Sequence, residues 1–234
     1  MSLMPHAMIG LLLLLSGQFI FETVGNDSPY KIAKSCETKI EALVTSNEKA
    51  TLSKGNRGKA SFPDDYDFEE QKRVLDAIWN LNDSANECWN QIVTHLEDKR
   101  HSITCQGPTG SWFNQSVGAI CRRIVYRNIE FFESKLRMTG PVHRPEYLSN
   151  EPAKLKEWCE KHSDQSLYER QLDAVEWAIE TERKRGFESR QEENAVLAPL
   201  MDYRATLREK KAPIKVRPWG SDELSFKSAP PSRD

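Results

Sequence analysis

Neither charge sign dominates this sequence. Lys and Arg number 33 against 35 Asp and Glu, for a formal net charge of −2. That balance is wrong for a chain that binds by neutralising phosphates, so nucleic acid is not an expected partner. Long hydrophobic runs are scarce too. Only residues 7–21, AMIGLLLLLSGQFIF, form one, and it is shorter than the ~20 residues a spanning helix needs. The common catalytic signatures are missing as well. There is no Gly-x-Ser-x-Gly elbow, His-Glu-x-x-His, Cys-x-x-Cys or dinucleotide glycine fingerprint. No cofactor is therefore expected. With 38% apolar and 29% charged residues, plus six Trp and nine Phe, the chain is neither a membrane bundle nor wholesale disordered.

The short apolar run has the position and length of a signal-peptide core, and Thr23-Val24-Gly25 places small residues where cleavage would fall. Its n-region, MSLMPH, lacks the usual Lys or Arg. We read residues 1–25 as a leader, 26–211 as one helical domain, and 212–234, rich in Pro, Ser and charge, as a disordered tail. The expected location is secreted or otherwise extracytoplasmic, with no stable membrane span after leader removal. Two sequons, Asn82-Asp83-Ser84 and Asn114-Gln115-Ser116, are candidate glycosylation sites; Asn114, read as a loop residue, is the better acceptor.

Helical periodicity covers nearly all of the remaining sequence. Ile32, Cys36, Ile40 and Leu43 recur at helical spacing over 30–52. Acidic residues at 64–67 open a long second helix to about Ile103, on which Leu75, Ile78, Asn82, Ala85, Trp89, Ile92 and Leu96 form a seam with one polar interruption. A third helix spans about 116–138, carrying Val117, Cys121, Ile124, Phe131 and Phe132, and 139–151 is an irregular crossing. A fourth covers 152–185, open to interruption at Ser163–Ser166, and Gly186 ends it. A last segment, 189–211, must accommodate Pro199. The expected fold is all-α: an antiparallel helical bundle of four to five helices.

Five cysteines fit an oxidising compartment. Were helices one and two a hairpin, Cys36 and Cys88 would lie within one or two turns of each other. Cys105 and Cys121 flank the next loop. The expected pairs are Cys36–Cys88 and Cys105–Cys121, leaving Cys159 alone; five reduced core thiols are the alternative.

Cys159 and His162, three apart on one helix face, offer two metal ligands or a thiolate–imidazole pair, and Asp98 and His101 form a similar pair. Two pairs fall short of a ligand set, and a buried Cys beside surface histidines is the plainer reading. Lys54–Lys59 is a basic turn that could meet an anionic polysaccharide or membrane surface. Arg122, Arg123 and Arg127 could meet an acidic partner, although a solvated helix face is the simpler account. Trp79, Trp89, Trp158 and Trp177 belong either to the core or to a contact surface. The sequence thus points to a non-enzymatic binding or protein-interaction module with an unidentified protein partner. The competing reading is a metal- or thiol-dependent enzyme centred on Cys159 and His162.

Overall fold

The computed structural model describes residues 29–53, 59–107, 110–129 and 152–215. The expected leader, most of the basic turn, Phe131, Phe132, the 139–151 crossing and the tail beyond 215 lie outside them. The described chain is mostly helical with two small antiparallel sheets, so it is not purely all-α. In order it forms α1 (Pro29–Glu41), β1 (Thr51–Leu52), β2 (Ala60–Ser61), α2 (Phe68–Asp83), α3 (Ala85–Thr94), β3 (His101–Gln106), β4 (Trp112–Ser116), α4 (Val117–Ile129), α5 (Pro152–Lys161), α6 (Leu167–Arg185) and α7 (Arg190–Lys210).

Local chemistry sets these boundaries. The first helix stops at Glu41, well before the expected Leu52, because Arg73 takes the carbonyls of Ala42 (3.0 Å) and Val44 (3.0 Å). The Asn47 N–H meanwhile turns to Thr45 Oγ1. Asp67 caps α2 by accepting from the N–H groups of Glu69 (2.9 Å) and Glu70 (3.0 Å). The expected second helix is three elements. Ser84 breaks it by donating its hydroxyl to Asn80 O, and a turn at 95–100 then leads into β3. Ser166 and Glu169 form a capping box at the start of α6. Gly186, at φ 75°, ends that helix, as its position in the sequence implied. α7 runs unbroken through Pro199.

The β3–β4 hairpin corrects the all-α expectation most directly. His101 pairs with Ser116 and Cys105 with Phe113, and Gly110, at φ 80°, serves the turn. Its base feeds straight into α4. A Cβ on Gly118 would lie 2.6 Å from the Leu96 carbonyl, so only glycine lets α4 start this close to the end of α3.

The main core joins α1 through α5 and the first turn of α6. Ile40, Leu43, Val74, Ile78, Leu81, Ile92, Leu96, Ile120, Ile124 and Leu155 are all buried in it. Ile32, expected on the inward face of α1, is exposed instead. A second cluster lies between α6 and α7, built from Val175, Ala178, Ile179, Leu197, Leu200, Tyr203 and Leu207. Ile214 packs against it from beyond α7.

Cys36 on α1 and Cys88 on α3 are joined, with Cα atoms 5.2 Å apart. The expected Cys105–Cys121 bridge is not made: both are free, buried thiols, as is Cys159. The hairpin is the reason. Cys105 sits opposite Phe113, three residues up the strand from the β4–α4 junction. Cys121, in contrast, lies one turn into α4, so the two cysteines sit on different elements beyond the junction and their sulfurs are not joined.

The Cys36–Cys88 bridge spans 52 residues, for which chain entropy gives about 4 kcal/mol of stabilisation. A Cys36→Ala/Cys88→Ala variant is expected to lose roughly that much in urea unfolding, with a steeper slope because the unlinked denatured chain exposes more surface. Peptide mapping without reductant should recover Cys36 linked to Cys88, with Cys105, Cys121 and Cys159 alkylated only after denaturation.

Candidate functional site

The residues proposed for chemistry lie at the end of α5. Cys159 faces the core, 1% exposed, and its burial pushes the thiol up to about 12, only partly opposed by Arg170. His162 lies just past the helix, where its ring stacks on Trp158 with centroids 4.6 Å apart. Its Nδ1 pairs with Trp158 O at 2.8 Å, a bond in which the ring nitrogen donates. The imidazole is thus turned to its own helix. No hydrogen bond joins it to the Cys159 sulfur. A thiol so protonated is a poor nucleophile, since that role needs the thiolate. Among the described residues no three His, Cys, Asp or Glu side chains converge as a metal site.

The sequence reading passed over the central group here, Arg170. It is 2% exposed, and its Nε and Nη2 donate to His162 O at 3.1 and 2.8 Å. Its guanidinium lies over the Trp89 ring, 4.6 Å from the centroid. Among the described residues no carboxylate forms an ion pair with it, and burial lowers its pKa. The cation instead meets the carbonyl-rich C-terminal end of α5 and an aromatic face, two environments that favour positive charge. Arg170 therefore ties α6 to α5 and α3, and its contacts are structural. No sequence signal separated it from the surface arginines, because its burial depends on how three helices pack.

Asp98 and His101 are not brought together. Asp98 lies in the turn after α3 and binds Arg100 through Nη2 (2.7 Å) and Nε (3.0 Å), as well as the Arg100 backbone N–H (2.9 Å). His95 approaches it at 3.3 Å and also meets Glu37 on α1. Arg100 reaches on to Glu41 at 2.7 Å. The Arg100 guanidinium, against the opposing effect of burial, holds the Asp98 carboxyl down at about 2. His101 is in β3 with Nδ1 on Gln115 O, and its Nε2 is buried without a partner.

The two sequon asparagines are both engaged. Asn82 is 4% exposed and its Oδ1 accepts from Asn128 Nδ2 at 2.9 Å. Asn114 is a strand residue and not a loop residue. Its amide donates to Ala50 O (2.8 Å) and accepts from Thr104 Oγ1 (2.6 Å). A glycan would have to displace Asn82 from its buried position, and at Asn114 it would compete with the Nδ2 bond to Ala50 O. Of the tryptophans, Trp89 and Trp158 are buried, Trp177 is half-buried and Trp79 is 44% exposed. Phe113, 45% exposed, is a second large apolar group at the surface. Arg122 donates to Leu96 O and so also serves the end of α3. Among the described residues no helix is long and apolar enough to cross a membrane. Comparison with protein-family models, with curated proteins and with solved structures finds no match.

Because Asp98 is depressed in the folded state, the stability it contributes is present above its ordinary pKa and is lost as pH falls toward about 2. An Asp98→Asn variant is expected to lose about 1–2 kcal/mol at pH 7, a figure reduced for the exposure of Arg100. The gap from the parent should close between about pH 4 and pH 2 when urea midpoints are followed with pH.

Proposed function

We propose that this chain is an exported, disulfide-bonded helical protein that works by binding a protein partner and not by catalysis. The observation that carries this reading is the Cys36–Cys88 bridge between two core helices. Such bridges persist in oxidising compartments and are rare in a reducing cytosol. In this reading residues 1–25 are the leader that delivers the chain there, and 26–211 are a helical bundle. Trp79 on α2 and Phe113 on β4 are its candidate contact residues, since exposed aromatics concentrate binding energy. Against an enzyme centred on Cys159 and His162 stands the protonated, buried thiol.

Expression of the full chain in cells with a secretory pathway tests the proposal. The expected product is found in the medium, begins near residue 26, and yields the Cys36–Cys88 peptide pair without reductant. A chain that keeps Met1 and a reduced Cys36 in the cytosol would overturn export. Stoichiometric zinc, iron or copper that disappears in Cys159→Ala would overturn the non-catalytic reading.

A further inference from the structure

We propose that α7, with residues 212–215 behind it, is a detachable cover over the outer part of α6, held closed by a contact at Gln171 that reads main chain. The apolar residues beneath it form a cluster of their own. Among the described residues it draws on α6, α7, the turn at Phe187 and Ile214, with nothing from the bridged core. Among the described residues, α6 is also the only element with which α7 makes substantial contact.

The two helices are fixed unequally. The start of α6 belongs to the main body: Leu167 is in the main core, its N–H donates to Asn86 Oδ1, and Arg170 holds the end of α5. Among the described residues, none of α7 joins the main core. Pro199 in its interior removes one helical hydrogen bond. Lys211 closes it in the left-handed region at φ 48°, a conformation that favours glycine. Its charged links to α6 and the turn, Arg208–Glu176 and Arg185–Glu192, are solvent-facing and weak.

Gln171 supplies the closure. The Ile214 N–H donates to Gln171 Oε1 at 2.8 Å, and Gln171 Nε2 donates back to Ile214 O at 2.9 Å. One buried amide thus pairs with both main-chain groups of one residue, as a neighbouring strand would. The same Nε2 also donates to Asn128 O on α4, at 2.7 Å. When Ile214 leaves, Gln171 keeps α4, so α6 stays docked while its Val175, Ala178 and Ile179 face is uncovered. That face, at helical spacing, fits an amphipathic helix such as the one covering it. The inference stands whether or not the chain is exported.

Native-state hydrogen exchange on the full, bridged chain is the test. The expected result is that α7 amides exchange about tenfold or more faster than those of α2 and α4. Ile214→Pro, which deletes the N–H given to Gln171, should accelerate α7 further and leave α2 and α4 unchanged. Pro199→Ala, which restores a helical N–H, should slow α7 alone, and it needs no tolerance of a second proline in the strap. Equal exchange of α7, α2 and α4 in the parent would overturn the proposal. So would Ile214→Pro accelerating all helices together or none.

Discussion

The side-chain amides of Asn82, Asn128 and Gln171 are almost wholly removed from water, and each must find its hydrogen-bond partners inside the protein or carry an uncompensated desolvation cost. They do so in sequence. Asn128 Nδ2 donates to Asn82 Oδ1 and to Ile124 O, Gln171 Nε2 donates to Asn128 O, and Gln171 closes on Ile214. One polar file thus connects α2, α4, α6 and the strap. Apolar packing would tolerate small rotations or slides of these helices, but paired amides would not. The file fixes which turn of each helix faces which, and the surrounding leucines and isoleucines fill the space so defined.

Part of this was legible beforehand. The periodic seam from Leu75 to Leu96 was visible, and Asn82 stood out as its polar interruption. Its residues are inward in the structure even though Ser84 breaks the helix, because Ser84 stays near helical dihedrals (φ −99°, ψ 13°) and barely disturbs the phase. The Cys36–Cys88 pairing was expected from two long antiparallel helices, and it is made although the first stops at Glu41 and the second is broken at Ser84. β3 was not legible. It buries four positions in a row, Ser102 through Cys105, two of them polar. It therefore shows neither the alternation of a half-buried strand nor the apolar run of a central one. Asn114 and Cys105 were misplaced by the same error, since both sit on the hairpin that was read as a helix end and a loop.

The candidate site was less readable than the fold. Cys159 and His162 are three apart on one helix, so they suggested a reactive pair. Chemistry depends on what lies across from them, and across from them lie Trp89 and Arg170. A buried cation ordinarily draws a neighbouring thiol toward its anion. Here Arg170 is committed to the carbonyls at the end of α5 and to an indole face, and desolvation dominates at the sulfur. The motif records proximity along one helix, whereas the protonation state is set by residues from two others.

Covalent and polar constraints divide the protein unevenly. The disulfide ties α1 to α3, and the Asp98–Arg100–Glu41 and His95–Glu37 contacts cross the same pair of elements a few residues away. Crosslink, ion pairs and the largest apolar cluster therefore reinforce one another at one end. α7, by contrast, rests on the apolar cluster it shares with α6, on exposed ion pairs and, through Ile214, on the main-chain contact with Gln171. Apolar burial is additive but non-directional, so a helix held mainly by it separates more readily than one also held by directional bonds. The apolar face of α6 beneath α7 is the surface that such an arrangement would keep in reserve.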